Sequence, residues 1–356
     1  MGLIPRLAPR EGLLREKRHR RATEGRIINL TSSIPLCYFL KLRDWSGGIM
    51  HSKQIHARNR WVVLSCVTFL WLVSCETLWS IRGFLGAEDE TSIALVVMTY
   101  NIFRKRHDDQ TERRWNNRRD LVVENIGRVS PDVFGLQEAL RIQIDYIQSQ
   151  LPEYRWYGVG RDNGESAGEH VPIFYRKDRF HVDAEGTFWF SNTPDTPSIG
   201  GSDWGNPTVK RISSWVRLVE TNTSKSFYFF NLHLESERSG QHSRERSVAL
   251  LGKKIRDRAH PEDPVIVAGD FNMLPENSAM RYFMATLGYG DDYTALEEIP
   301  DDEYTYQSWG SGSRYRLDYI LSSPDTLWAR STVNHRSGSD HYPVVTRLLL
   351  ATAAQD

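Results

Sequence analysis

Residues 93–101 read Ile-Ala-Leu-Val-Val-Met-Thr-Tyr-Asn, an apolar, partly β-branched run of strand length that ends in a polar residue. A run of this kind indicates a buried β-strand. The pattern returns at 132–138, Asp-Val-Phe-Gly-Leu-Gln-Glu, and at 265–270, Val-Ile-Val-Ala-Gly-Asp. Strand ends are held by a sheet yet open to solvent, so the sequence predicts one site built where several strands stop.

The segments around these runs indicate further strands and a few long helices. Apolar residues at helical spacing predict helices at 112–129, 140–150 and 241–256. Other strands are predicted at 154–159, 171–175, 186–190, 212–220, 226–234, 317–321, 328–335 and 342–349. Nothing between them resembles an interdomain linker. Residues 88–356 are therefore predicted to form one mixed α/β domain.

Charge and cysteine content exclude several classes of protein. The 356 residues carry 45 basic and 45 acidic side chains, but residues 1–60 alone hold 13 Lys/Arg against 4 Asp/Glu. The rest of the chain is acidic, which argues weakly against avid binding of duplex DNA. The three cysteines, Cys37, Cys66 and Cys75, precede the predicted domain. That domain can have neither a disulfide framework nor a cysteine-rich zinc site.

The N-terminal segments have the pattern of an export signal. Residues 1–49 are rich in arginine and are predicted to be disordered or not natively translated. Residues 50–87 hold a basic stretch, an apolar run at 61–73 and then small residues, as a secretory signal does. Cleavage before Cys75 would give a lipoprotein, and cleavage after Ala87 a freely exported protein. An N-terminal anchor helix or a buried helix is the alternative. We expect a periplasmic, extracellular or membrane-anchored protein.

Eight polar residues at or near strand ends are the candidates for chemistry. They are Asn101, Glu138, His233, Asp270, Asn272, Asp318, Asp340 and His341. Each taken singly can be explained as a turn former, a helix cap or a structural histidine. Carboxylates, amides and imidazoles together, with no cysteine, suit Mg²⁺ or Mn²⁺ better than a closed zinc site.

Six short motifs, in order, carry a family resemblance. They are Thr99-Tyr-Asn-Ile, Leu136-Gln-Glu, Asn231-Leu-His-Leu, Gly269-Asp-Phe-Asn, Leu317-Asp-Tyr-Ile and Ser339-Asp-His-Tyr-Pro-Val. Across residues 93–350 the chain resembles the endonuclease/exonuclease/phosphatase superfamily, of which deoxyribonuclease I is the best-known member. The segment from Glu169 to Phe180 is more similar to a largely uncharacterised bacterial branch.

The resemblance implies a fold and a role for each candidate. The fold would be an α/β (α+β) four-layer sandwich, with two mixed β-sheets flanked by helices. The implied metal ligands are Asn101, Glu138 and Asp340. The implied catalytic residues are Asp270 with Asn272 at the attacking water, His341 oriented by Asp318, and His233 at the phosphoryl group. Whether Asp270 or His341 is the base stays open at this point.

Two cations and three tryptophans are further candidates. Arg211 and the tryptophans lie around the Pro/Gly-rich loop at 192–206, and Arg244 lies on the predicted helix that follows the His233 strand. Arg211 and Arg244 are interpreted as substrate-binding residues, with a solvated arginine as the alternative. Trp189, Trp204 and Trp215 could stack on a base or sugar, although core packing is the default for at least two of them.

The predicted function is divalent-metal-dependent hydrolysis of phosphodiesters or phosphomonoesters by activated water, carried out by a monomer. The phosphate-ester substrate could be a nucleic acid, a phospholipid or a small molecule, and membrane attachment through the N-terminal segment is possible. One alternative is a lipid phosphodiesterase of the sphingomyelinase kind rather than a nuclease. A non-catalytic binding module that retains the fold is the other.

Overall fold

The computed structural model describes residues 92–106, 111–288, 290–291 and 303–352. The predicted N-terminal extension at 1–49 and the signal segment at 50–87 lie outside these residues. Among the helices of the described part, none has the length and apolar character needed to cross a bilayer.

The described residues form twelve strands and four α-helices. The strands are β1 Ser92–Asn101, β2 Val133–Gln137, β3 Tyr154–Tyr157, β4 Ile173–Arg176, β5 Phe180–Trp189, β6 Ile212–Glu220, β7 Ser226–His233, β8 Val265–Asp270, β9 Gly290–Asp291, β10 Asp318–Ser322, β11 Thr326–Val333 and β12 Val344–Ala351. The helices are α1 Trp115–Val129, α2 Arg141–Gln150, α3 Gln241–Arg256 and α4 Ser278–Leu287.

The strands form two mixed sheets of six. Sheet 1 has the order β11-β12-β1-β2-β4-β3, and sheet 2 the order β5-β6-β7-β8-β10-β9. In each sheet one neighbouring pair is parallel, β1 with β2 and β7 with β8. A helix connects the two strands of each pair, α1 in sheet 1 and α3 in sheet 2. Each sheet therefore contains one βαβ unit, whose parallel strands end at the same edge.

Side chains that alternate between the two faces of each strand produce the layers of the sandwich. Ile93, Leu95 and Val97 of β1 pack in one cluster with Phe227 and Phe229 of β7, which places them between the sheets. Successive side chains of a strand point to opposite faces, so the intervening residues must be covered from outside.

Helices provide that cover. Tyr100 of β1 packs with Val122 of α1 and Ile144 of α2. Tyr228 of β7 packs with Val248 of α3 in a separate cluster that also contains α4 residues. The predicted sandwich of two mixed sheets flanked by helices is confirmed.

Three elements differ from the sequence prediction: β5, α4 and the two-residue strand β9, which was not predicted. The strand predicted at 186–190 begins at Phe180 and is an edge strand, with polar side chains exposed along its first half. Helix α4 was not predicted, because its amphipathic pattern covers only ten residues, too few to be assigned from spacing alone. Its start is fixed by Asn277, whose side chain accepts a hydrogen bond from Ala279 N at 2.9 Å.

Candidate active site

Strand register places three candidate residues side by side in sheet 2. His233 at the end of β7 is opposite Asp270 at the end of β8, and Asp270 is opposite Asp318 at the start of β10. His233 Nε2 lies 3.6 Å from Asp270 Oδ2. Because both neighbours are fixed by the ladder, the row forms whenever the sheet forms.

His341 joins this row from the loop before β12. Its Nδ1 lies 2.7 Å from Asp318 Oδ2, and its Nε2 lies 3.8 Å from Asp270 Oδ2. Burial lowers the pKa of His341, but the charge and hydrogen bond of Asp318, together with Asp270 and Asp340, raise that pKa well above its ordinary value. His341 is thus an imidazolium at neutral pH in this environment.

The environment of Asp270 disfavours its charged form, whereas that of His341 favours the charged form. Burial and the neighbouring Asp318 raise its pKa to about 7, although His341 and hydrogen bonds from Asn101 and Asn272 favour the ionised form. The backbone N–H of Asn272 donates to Asp270 Oδ1 at 2.9 Å, and Asn101 Nδ2 donates to Oδ2 at 3.0 Å. A carboxylate that titrates near neutral pH is matched to accepting a proton from water.

Glu138 lies across the cleft, at the end of β2 in sheet 1. Its φ of 58° places a non-glycine residue in the left-handed region, a conformation that concentrates at functional sites. Glu138 Oε2 accepts from Arg104 N at 3.1 Å, and Oε1 accepts from Asn101 Nδ2 at 3.4 Å. Burial, followed by the charges of Glu169 and Asp340, raises the pKa of Glu138.

This set of oxygens fits a divalent cation. The charges of Glu169 and Asp340 disfavour the ionised form of Glu138, and a bound cation would reverse that effect. Glu138 and Asp340 line the same cavity and can supply the ligands. Asp270, Asp318 and His341 also place ligand atoms within 4.8 Å of one another. There, however, His341 Nδ1 is occupied by Asp318, so we assign that group to proton handling.

Asn101 bridges the two halves of the site instead of offering its oxygen. Its Oδ1 accepts from Phe103 N at 3.1 Å, which turns the Nδ2 group towards Glu138 and Asp270. In this orientation Asn101 holds both carboxylates. The metal-ligand role that the resemblance implied for Asn101 stays a prediction.

The candidates meet in one open cavity of about 640 Å³, here called the main cleft. The predicted residues that line it are Glu138, His233, Arg244, Asp270, Asn272, Asp340 and His341. Asn101 and Asp318 are buried behind the cleft wall. Arg244 Nη1 donates to the backbone oxygens of Glu235 and Glu237 at 2.8 and 2.9 Å. It thereby shapes the loop that follows β7.

A smaller cavity of about 250 Å³ opens beside the main cleft and shares Glu138 and His233 with it. It is here called the charged arm and is lined by Arg104, Arg161, Glu169, Arg211 and Glu235 among others. Sequence reasoning found Arg211 alone of these five. Glu169 was noticed only as a marker of lineage, since ion pairs between distant segments leave no local pattern.

The three tryptophans do not form a stacking platform in this structure. Trp189 and Trp204 are buried, and their Nε1 groups donate to Arg161 O and Asn192 Oδ1, both at 2.8 Å. Trp215 packs against the outer cluster of sheet 2.

The fold and this set of side chains are those of hydrolases that act on phosphate esters. The chain belongs to the Endonuclease/Exonuclease/phosphatase family, whose sequence profile matches residues 98–341.

The chain is also similar to three individual proteins. A mannosyl-6-phosphatase of Bacteroides thetaiotaomicron has a similar structure, with a TM-score of 0.64 and 30% identity over 71% of this chain and 99% of that one. An uncharacterized protein of Acanthamoeba polyphaga mimivirus is 32% identical over 49% of this chain and 66% of its own length. A probable RNA exonuclease of Schizosaccharomyces pombe is 25% identical over 55% of this chain, but over only 40% of its own length.

Proposed function

We propose that this chain is a divalent-metal-dependent phosphoesterase that hydrolyses phosphate esters by attack of an activated water on phosphorus. The observation that carries the proposal is the meeting of Asp270 and His341, with Oδ2 and Nε2 3.8 Å apart, in the cleft that also holds Glu138. Pairs of groups with separated pKa values are typical of acid–base sites.

In the proposed reaction, Asp270 and His341 transfer protons and their neighbours hold them in position. Asp270 accepts a proton from the attacking water, while Asn272 and Asn101 hold its carboxylate in place. His341, kept protonated by Asp318, donates to the phosphoryl oxygen or to the departing alcohol as the bond to phosphorus breaks. Of the two candidates for the base, this geometry favours Asp270, because an imidazolium cannot accept a proton.

His233 plays a different part. Burial lowers the pKa of His233 well below its ordinary value, and the nearby Arg211 and Arg161 lower it further. It is therefore neutral and can donate one hydrogen bond to the transferring group. A divalent cation held by Glu138 and Asp340 would supply charge neutralisation at the phosphoryl oxygens. The identity of the ion, Mg²⁺ or Mn²⁺, is part of the proposal.

The names of the relatives include both a phosphatase and a probable exonuclease. The proposal therefore covers phosphomonoesters and phosphodiesters, lipid esters included. The convergence of acid, base and carboxylate ligand in one cleft supports an enzyme over a non-catalytic binding module.

The test is a hydrolysis screen of the full chain with Mg²⁺ or Mn²⁺ against nucleic acids, phospholipids, sugar phosphates and aryl phosphates. We expect chelator to stop the reaction and added metal to restore it. Glu138→Gln and His341→Ala are each expected to lower kcat by about 10²-fold or more. Glu124→Gln, at an exposed carboxylate on α1, is the matched control and should leave kcat unchanged. Full activity in both cleft variants would refute the proposal.

A further inference from the structure

The charged arm has a lining unlike that of the main cleft. Four arginines and four glutamates contribute to it, and among the described residues no Phe, Tyr or Trp does. Glu169 binds two of the arginines: its Oε1 lies 2.6 Å from Arg104 Nη1, and its Oε2 lies 2.7 Å from Arg161 Nη1. A second contact from Arg161 Nη2 to Oε1 at 3.1 Å makes that pair bidentate.

Among the described residues, Arg211, a third arginine of the arm, lacks the bidentate pairing that Arg161 makes with Glu169. Arg211 Nη2 donates to Ser236 Oγ at 2.9 Å and lies 3.5 Å from Glu235 Oε1. Arg211 Nε and Glu235 Oε2 have no hydrogen-bond partner within the described part of the chain, although both side chains are more than nine-tenths buried. Buried polar groups are normally paired, so an incomplete cluster of charges indicates a place that a ligand or its water completes.

The position of the arm connects it to the reaction. Glu138 and His233 line both cavities, so a group attached to a phosphoryl group bound beside them in the main cleft can extend into the arm. The arm holds about 250 Å³, which is below the roughly 300–1,000 Å³ of pockets for drug-sized ligands. The part of a ligand that lies inside the arm is therefore small.

The residues that line the arm favour some chemical groups as its occupant over others. A nucleobase stacks best on an exposed Phe, Tyr or Trp face, and the described lining of the arm has none, its one aromatic ring being the buried His233. A second phosphate would lie against Glu169 and Glu235, whose carboxylates repel it and already neutralise the arginines. A hydroxyl both donates and accepts, so a group with several hydroxyls can satisfy glutamate acceptors and arginine donors together.

We propose that the charged arm binds a small polyhydroxylated group esterified to the reacting phosphate, so that the substrate is a monosaccharide phosphate. This inference rests on the proposed phosphoesterase function and adds the substrate class to it. Arg161 and Glu169 are the specificity-determining residues, because their bidentate pair fixes the positions of the donors and acceptors that face the arm.

The test compares esters of matched reactivity on the full chain with Mg²⁺ or Mn²⁺, measured as release of inorganic phosphate. Glucose 6-phosphate, mannose 6-phosphate and ethyl phosphate are all primary alkyl esters, so a difference in kcat/KM reports contacts to the hydroxyls. We expect at least one of the hexose phosphates to exceed ethyl phosphate roughly 100-fold or more. Adenosine 5′-monophosphate should be a poorer substrate than that hexose phosphate.

Arg161→Lys keeps the charge but removes the bidentate geometry, and should lower the ratio of hexose to ethyl phosphate kcat/KM by about tenfold, chiefly through KM. Glu169→Gln should act in the same direction. Arg217→Lys is the matched control, since Arg217 is also 11% exposed and also lies 2.7 Å from a carboxylate, but outside both cavities. It should leave the ratio unchanged.

The outcomes separate the two proposals. Equal kcat/KM values for hexose and ethyl phosphates, preference for the nucleotide, or activity confined to phosphodiesters would overturn the inference and leave the phosphoesterase proposal standing. Hydrolysis of no ester with either metal would overturn both. The comparison within the wild-type chain decides the matter even where a variant does not fold.

Discussion

At the scale of single residues, the contact between Asp318 and His341 sets the protonation state of the site. Asp318 is fully buried, and its Oδ2 lies 2.7 Å from His341 Nδ1. A buried carboxylate at this distance favours the charged imidazolium and fixes the plane of the ring.

Asp318→Asn should therefore lower the pKa of His341, because the amide keeps the shape of the carboxylate without its charge. The ring would lose its proton over a lower pH range and kcat at neutral pH should fall by about 10²-fold. Histidine ring NMR measures the pKa, and steady-state kinetics measures kcat. Asp145→Asn, at an exposed helix position, is the control. An unchanged pKa for His341 would show that Asp318 does not have this role.

Arg118 is a second residue whose importance lies in its partners. Its buried guanidinium donates to the backbone oxygens of Ile102 and Phe103 after β1 and of Gly338 just before the His341 segment. It thus connects the loop beyond Asn101 to the loop that carries Asp340 and His341. The sequence could not reveal this role, because the acceptors are backbone atoms more than two hundred residues apart.

Arg118→Gln should lower the free energy of unfolding by about 2–4 kcal/mol, because buried carbonyls would lose their donor. Urea denaturation measures this change. Arg128→Gln, at a 55% exposed arginine on the same helix, should change it by less than about 0.5 kcal/mol. Equal effects of the two substitutions would contradict the role given to Arg118.

At the scale of elements, one polar contact joins the two sheets beneath the site. Gln137 Nε2 of β2 donates to Asn231 Oδ1 of β7 at 2.6 Å, and Asn231 Nδ2 donates to the backbone oxygens of Leu136 and Pro172. Gly135 makes room for it, since a Cβ there would lie 2.4 Å from Asn231 Cγ. The contact fixes β2, which carries Glu138, against β7, which carries His233.

Gly135→Ala should lower the free energy of unfolding by about 2–4 kcal/mol, because the added methyl must displace Asn231 from its hydrogen bonds. Gly127→Ala is the matched control: nothing lies within 4 Å of its Cβ position on helix α1. There we expect a gain of about 0.5–1 kcal/mol, since alanine favours the helix. Thermal or urea unfolding distinguishes the two, and a tolerated Gly135→Ala would contradict the close approach of the sheets.

The sequence predicted the buried strands and the long amphipathic helices. The run at 265–270 is continuous and apolar, and it forms the central strand β8. The polar residues of an edge strand obscured the first half of β5, and α4 is amphipathic over only ten residues, which is too short a pattern to predict a helix from spacing alone. The strand-end residues of the site were identified, but the charged arm was not, because Arg161 and Glu169 meet through a turn and not through a strand pattern.

At the scale of the whole molecule, the site draws on both sheets. Glu138 and Asp340 lie beside strands of sheet 1, whereas His233, Asp270 and Asp318 belong to sheet 2. The order of the motifs in the sequence predicted that these groups share a cleft. It could not predict their distances, which depend on the packing of one sheet against the other.

Export remains a proposal that concerns the entire chain. We expect expression in a bacterial host to yield a processed protein, with a mature terminus at an acylated Cys75 or after Ala87. Intact-mass measurement of the wild type and of Cys75→Ser identifies which. An unprocessed chain in the cytoplasm would contradict the interpretation of residues 50–87 as a signal.

Crystals of the full chain grown with Mn²⁺ and inorganic phosphate would show directly whether residues of both sheets bind one ion and one phosphate in the same site. We predict an anomalous Mn²⁺ peak about 2.1 Å from a Glu138 carboxylate oxygen, with a phosphate within hydrogen-bond distance of His233 and His341. Mn²⁺ bound at Asp318 and His341 with none at Glu138, or bound outside the main cleft, would contradict it.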